Sequence, residues 1–290
     1  MNPIRSHERG ALGSSLVYPV ISRRAGGLSL GINLFPGKKV CNFDCPYCEV
    51  PAWKMGISSG SELADPDELE RELNAFLTSE YPRRWADWPI KDLCFSGDGE
   101  PSLSPILIPA LEACARVREK HPGLAGAASI RIITNATGFL KPEIRADLAR
   151  FAMKRGLSVW AKLDSGSQEG FSAMSRSGFD LELILEGIAA YGRLSPLTIQ
   201  TMVCSLKGRE PGADEVDIYA RRLEKLWSAG ALIEAVHVYT LARPPLEPWV
   251  EALPRDRLQA FIDLVGAVVR GRFPVLGFEA DGIEALEARW

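Results

Sequence analysis

Short apolar runs alternate along this chain with longer stretches whose apolar positions recur every three or four residues. The first run, Leu28-Ser29-Leu30-Gly31-Ile32-Asn33-Leu34, alternates with period two and predicts a strand. Asp65 or Pro66 then opens a helix that runs towards Thr78, because Asp65 suits an N-cap, Pro66 the first helical position and the acidic residues the first turn. Further strands are predicted at Lys91–Ser96, Ser129–Thr134, Val159–Leu163, Leu197–Val203 and Ala235–Thr240. Helices are predicted between and after them at Pro105–Lys120, Pro142–Lys154, Asp180–Tyr191, Asp214–Ser228 and Arg255–Val269.

Six strand-and-helix units in this order imply an α/β fold whose parallel strands are joined by right-handed crossovers, and a partial (β/α)6 barrel is the expected architecture. Residues 1–27 are expected to cap or extend this body, residues 28–272 to form it, and residues 273–290 to add a final strand or cover at Phe273–Phe278. No stretch reads as a linker to a second domain. The Pro-rich segment Arg243–Pro248 reads as an ordered loop at a strand's C-terminal end.

Composition changes this picture little. The chain has 290 residues, 46% hydrophobic and 24% charged, as ordinary globular proteins do. No apolar run approaches the ~20 residues needed to cross a membrane. A net charge of -3 gives no overall bias towards nucleic acid. Met1–Val20 is interrupted by Gly13, Ser14, Ser15 and Pro19, so no signal peptide is expected and the expected compartment is the cytoplasm.

The concentrated chemistry lies just after the first strand, in Cys41-Asn42-Phe43-Asp44-Cys45-Pro46-Tyr47-Cys48. Three thiols at C-x3-C-x2-C, with no fourth cysteine nearby, would leave one position of an iron–sulfur cluster without a protein ligand. An open position marks a catalytic rather than a closed structural metal site. A structural zinc site would want a fourth ligand, but there is one C-x2-C pair and the three histidines, His7, His121 and His237, are scattered. Disulfides would need an oxidising compartment.

This loop resembles the signature of the radical S-adenosylmethionine superfamily, including the aromatic Tyr47 before the third cysteine. The resemblance implies the same barrel, a [4Fe-4S] cluster on Cys41, Cys45 and Cys48, and S-adenosylmethionine chelated by the free iron. It also implies reductive cleavage of S-adenosylmethionine to a 5′-deoxyadenosyl radical, which abstracts hydrogen from a substrate the sequence does not identify. The electron would come from a donor such as flavodoxin or ferredoxin.

Barrel enzymes carry their chemistry at the C-terminal ends of strands. After the second strand, Gly97-Asp98-Gly99-Glu100 resembles the superfamily's Gly-Gly-Glu-like element, which contacts the amino group of S-adenosylmethionine, with Asp98 where the simplest form has glycine. Asn135, after the third strand, is expected to face the cofactor or, with Thr137, to cap the next segment. Lys162 and Asp164 share a face of the fourth strand, as an ion pair or as cofactor contacts. Gln200 on the fifth strand is a candidate cofactor contact, and Met202 on the same face reads as core. On the sixth strand His237 reads as structural, while Tyr239 and Arg243 are placed to touch substrate or cofactor. Cys94 and Cys114 read as core; Cys204 ends the fifth strand at a height where chemistry occurs.

The order of motifs, Ser29–Val50, Gly97–Leu103 and His237–Pro245, is similar to small iron–sulfur oxidoreductases related to tRNA wyosine-synthesis radical enzymes. The archaeal wyosine enzymes carry a second cluster on cysteines before the main loop, and none precedes Cys41 here, which disfavours that reaction. Activation of a glycyl radical on a partner protein, tRNA-base modification and a non-catalytic iron–sulfur role stay open.

Overall fold

The computed structural model describes residues 16–50, 64–281 and 284–289. It opens with β1 (Val17–Ser22), β2 (Gly27–Ile32) and α1 (Pro66–Ala75), which runs on through a π-helical turn at Phe76–Glu80 into α2 (Tyr81–Arg84). Next come β3 (Ile90–Phe95), α3 (Leu107–Lys120), α4 (Pro122–Ala125), β4 (Ser129–Thr134), α5 (Pro142–Arg155), β5 (Leu157–Lys162) and α6 (Gln168–Ser175). After these follow α7 (Leu181–Gly192), β6 (Leu197–Met202), β7 (Cys204–Leu206), α8 (Ala213–Ser228) and β8 (Ile233–Tyr239). The chain ends with β9 (Val250–Ala252), α9 (Arg255–Val269), β10 (Val275–Phe278) and β11 (Leu286–Glu287). Among the described residues, no helix is long and apolar enough to cross a membrane.

Contacts gather the chain into two units. Among the described residues, the first holds 16–41, Val50, 64–133 and Arg150–Ser158; the second holds Asn42–Glu49, Thr134–Ala149 and those from Val159 on. In the first, β1 pairs antiparallel with β2, and β2, β3 and β4 run parallel, with Leu30 opposite Leu93 and Leu93 opposite Ile130. All six residues of β2 are buried, as expected for a strand covered on both faces. Gly31 lets the Tyr18 ring lie against the strand: a Cβ there would sit 2.2 Å from the ring. Asp65 caps α1 as its sequence predicts, accepting from the Asp67 amide at 3.1 Å. On α3 the buried residues Leu107, Leu111, Cys114 and Val117 keep helical spacing.

In the second unit β5, β6, β8 and β10 run parallel, with Lys162 opposite Gln200 and Gln200 opposite His237. An antiparallel strand, β11, adds to β10, and β7 pairs with β9 as a separate two-stranded ribbon. The stacked rings of Phe139 and Tyr191, 4.7 Å apart, tie the turn before α5 to α7. All six predicted strands and all six predicted helices are present, most ends falling within two residues of expectation. What the sequence pattern missed is β1, the short α2, α4 and α6, the β7–β9 ribbon and β11. Pro19 disguised β1, and an edge strand is where a sheet tolerates proline.

Leu93 is fully buried in β3, between two parallel neighbours. Leu93→Ala should lower unfolding free energy by about 2–5 kcal/mol, measured as a lower urea midpoint with an unchanged denaturant slope.

Candidate functional site

The three cysteines of the motif are outside any disulfide and half-buried, whereas Cys94, Cys114 and Cys204 are buried. A turn closes the second half of the motif, with the Cys48 amide donating to the Cys45 carbonyl at 3.0 Å. Burial pushes the Cys45 thiol up to about 12; the neighbouring Tyr47 and Lys162 pull it down, and Asp164 adds to the rise. Among the described residues, no three Cys, His, Asp or Glu side chains stand together as a ready-made metal cage. The fit to a cluster therefore rests on donor chemistry: three sulfurs within eight residues, the soft donor type that iron–sulfur clusters take.

Within the second unit, the middle of the cysteine loop is fixed by one carboxylate. Asp164, at the end of β5, accepts the Tyr47 hydroxyl on Oδ2. Its Oδ1 accepts the Met202 amide at 2.8 Å and faces Lys162 Nζ at 3.0 Å. Lys162 donates to the Tyr239 hydroxyl at 2.7 Å and lies 4.9 Å and 5.0 Å from the centres of the Tyr47 and Tyr239 rings. Burial alone would lower the Lys162 pKa, but Asp164 and Tyr239 outweigh it and hold the ammonium above its ordinary value. Burial and the Asp164 carboxylate likewise keep the Tyr47 phenol protonated well past its usual range. Lys162 and Asp164 share a face as their spacing predicts, and they form an ion pair. Tyr239, expected to face substrate or cofactor, is Lys162's partner.

The start of the loop is tied to the end of β4 by a closed amide–hydroxyl ring. Asn42 Nδ2 donates to Thr137 Oγ1 at 2.9 Å, Thr137 Oγ1 to Asn135 Oδ1 at 2.7 Å, and Asn135 Nδ2 to Asn42 Oδ1 at 2.7 Å. Asn135 Oδ1 also accepts the Thr137 amide at 3.0 Å, the capping role its sequence position allows. Between them Ala136 adopts a left-handed backbone, φ 66°. Gln200 is fully buried and bonded to His237 Nδ1 at 2.9 Å, and His237 stands edge-on to Trp160 and Phe278. That supports the structural reading of His237. Met202 and Cys204 lie in one buried apolar cluster with Met174, Leu241 and Phe278.

In the first unit, Gly97–Glu100 runs beside the segment that leads to Cys41. The Val40 amide donates to the Asp98 carbonyl at 3.1 Å, and the Glu100 amide to the Val40 carbonyl at 2.8 Å. Gly99 is required there because a Cβ would stand 2.2 Å from the Val40 oxygen. Gly97 has φ 122°, a conformation favouring glycine. Asn33 secures the turn: its Oδ1 accepts the Asp98 amide at 3.1 Å and its Nδ2 donates to Asp98 Oδ2 at 3.0 Å. Glu100 is buried, and its Oε1 accepts the Ser102 amide at 3.0 Å, capping the 3-10 turn Pro101–Leu103. Sequence reasoning missed Asn33. Its signal was a polar residue ending an otherwise apolar strand.

Comparison with known proteins agrees with this layout at the level of fold. A radical SAM methyltransferase from Sphaerobacter thermophilus superposes with a TM-score of 0.62 at 15% identity, over 88% of this chain and 67% of that one. SuiB of Streptococcus suis, solved with S-adenosylmethionine, superposes with a TM-score of 0.57 at 12% identity, over 88% of this chain and 47% of that one. The fold is thus α/β with mostly parallel strands, matching radical SAM barrel enzymes. No protein-family model matches the chain. In sequence it is similar to a UPF0026 protein of Helicobacter pylori, 29% identical over 231 residues, covering 78% of this chain. A UPF0026 protein of Methanocaldococcus jannaschii is 28% identical over 238 residues, covering 80% of this chain. The matches span 66% and 65% of those two relatives' own lengths.

Tyr47→Phe removes one hydroxyl and deprives the largely buried Asp164 of a donor. It should cost about 1–3 kcal/mol of stability, read by chemical denaturation. Gly99→Ala should destabilise by more than the ~1 kcal/mol typical of point mutants, because backbone, not a movable side chain, blocks the new methyl.

Proposed function

We propose that the chain is a radical S-adenosylmethionine enzyme, with a [4Fe-4S] cluster on Cys41, Cys45 and Cys48. The observation that carries this reading is the C-x3-C-x2-C loop, directly after the first parallel strand of a chain whose fold matches radical SAM enzymes. When bound, the cluster and S-adenosylmethionine supply the one-electron chemistry that ends in hydrogen abstraction from a substrate. The chain's own residues hold and orient these groups and keep water out.

Three thiolates would carry the cluster, and Tyr47 would keep the turn between the last two in place through Asp164. Gly97–Glu100 would offer the amino group of S-adenosylmethionine a carboxylate at a point where glycines admit close approach. Asn135 would face the cofactor from the end of β4 while keeping its bond to Asn42. Lys162, Asp164 and Gln200 would contact the cofactor from the ends of β5 and β6, and the protein partners each has would hold them in place for it. Residues 28–272 would form the catalytic body.

The deciding experiment is anaerobic reconstitution with iron and sulfide, reduction, and measurement of 5′-deoxyadenosine after addition of S-adenosylmethionine. Product formation that needs the cluster supports the reading. A wild-type protein that binds the cluster yet neither binds nor cleaves S-adenosylmethionine is a non-catalytic iron–sulfur protein instead. Cys45→Ala leaves two sulfur ligands and should lose most bound iron and sulfide; full occupancy in that variant would falsify the ligand assignment. Glu100→Gln keeps an oxygen for the Ser102 amide, so its fold and iron content should hold. Loss of a charge-assisted hydrogen bond worth about 1.5–3 kcal/mol should weaken S-adenosylmethionine binding roughly ten- to a hundredfold in an equilibrium titration.

A further inference from the structure

The two carboxylates that flank the cysteines, Asp44 and Glu49, are each held by an arginine from elsewhere in the second unit. Arg243 Nε lies 2.9 Å from both Glu49 oxygens and Nη2 lies 2.8 Å from Oε1, a side-on clasp of one carboxylate. Arg176 reaches Asp44 at 3.4 Å and Glu247 at 2.8 Å, and Glu247 lies four residues beyond Arg243. These pairs close a ring. It runs from Asp44 along the chain through Cys45 and Cys48 to Glu49, across to Arg243, along the Pro-rich loop to Glu247, and back through Arg176.

Arg176 is built for this place at some cost. It ends α6 in a left-handed conformation, φ 47°, uncommon for a residue with a side chain. Its guanidinium also lies 5.2 Å from the centre of the Trp249 ring, whose Nε1 donates to Glu247 at 2.8 Å. Beside it the Asp44 amide donates to the Ser175 carbonyl at 2.8 Å. The Phe43 ring stands edge-on to Phe171 with centres 5.6 Å apart. Arg243, which its position at the end of β8 marked for substrate or cofactor, bonds the cysteine loop through Glu49.

We infer that Glu49, Arg243, Arg176 and Glu247 are positioning residues: an ionic buckle that fastens the Arg243–Glu247 loop to the cysteine loop and limits access to Cys45 and Cys48. The inference rests on the radical SAM reading only for what the buckle protects. The buckle itself belongs to the chain without cofactor. Each pair is partly exposed, so each contributes modestly and is weakened by salt. The Arg243–Glu49 arm is the least exposed and bidentate, and it dominates.

The test uses the 290-residue chain without added iron and reads alkylation of each cysteine by iodoacetamide, resolved by mass spectrometry. Arg243→Gln should speed labelling of Cys48 roughly two- to fivefold, the population shift an ordinary ion pair of this exposure can supply. Labelling of buried Cys94, Cys114 and Cys204 should not change. The charge swap Glu49→Arg with Arg243→Glu should restore the wild-type rate. If Arg243→Gln does not fold, Glu49→Gln carries the same expectation. Unchanged Cys48 labelling, a parallel rise at the buried cysteines, or no rescue by the swap overturns the buckle. If labelling responds as expected while wild-type protein takes up no iron on reconstitution, the buckle stands and the cluster reading falls.

Discussion

The Asp164 carboxylate is the constraint on which the site in the second unit depends. It receives a phenol from the cysteine loop, an amide from the end of β6 and an ammonium from β5, so one side chain fixes three segments. A carboxylate so little exposed is costly unless its oxygens are satisfied, and here both have donors. The bond to Tyr47 reaches the residue between the second and third cysteines. A shift in the ends of the strands would therefore move the loop with it.

The surroundings make these bonds count for more. Met174, Met202, Cys204, Tyr239, Leu241 and Phe278 form a buried apolar cluster against which Tyr47 packs. In such surroundings an electrostatic interaction is stronger than in water, and a lost partner is more damaging. Lys162 shows the balance: burial opposes its charge, yet Asp164 and two tyrosine rings hold it charged. Replacing this group by apolar side chains could leave a stable protein, but it would release Tyr47.

Most of this fold was legible in the sequence because its strands are buried on both faces and its helices are amphipathic. Such periodicities survive without knowledge of the partners. The pairing of Lys162 with Asp164 was legible too, since a strand's period of two puts both on one face. The elements that escaped depend on tertiary context. Pro19 argued against β1 until its edge position made proline acceptable. The two three-residue strands β7 and β9 carry too little pattern to be read alone, and each exists because of the other. Asn33 stood out as a polar residue at the end of an apolar run, but its partner, like that of Val40, could not be read locally, because Asp98 and Gly99 lie about sixty residues away. The pairing of Arg243 with Glu49 was not legible, because sequence shows where a residue falls after a strand end, not which carboxylate waits there.

A loop that carries three thiols in eight residues is too short to build a core of its own. Inside Cys41–Cys48 the Cys48 amide closes a turn on the Cys45 carbonyl. Ordering such a segment costs roughly 1–2 kcal/mol per residue in backbone entropy, more than one such turn returns. The difference must come from outside the loop, and within the second unit it comes from every side. Asn42 is held by Asn135 and Thr137, Phe43 by Phe171, Asp44 by Ser175 and Arg176, Tyr47 by Asp164, and Glu49 by Arg243. Asn42, Phe43, Asp44 and Tyr47, the non-cysteine residues of the motif apart from Pro46, are all tethered by side chain, and proline needs no tether because its ring already fixes φ. The tethers on the residues between the cysteines thus fix the backbone from which all three thiols project.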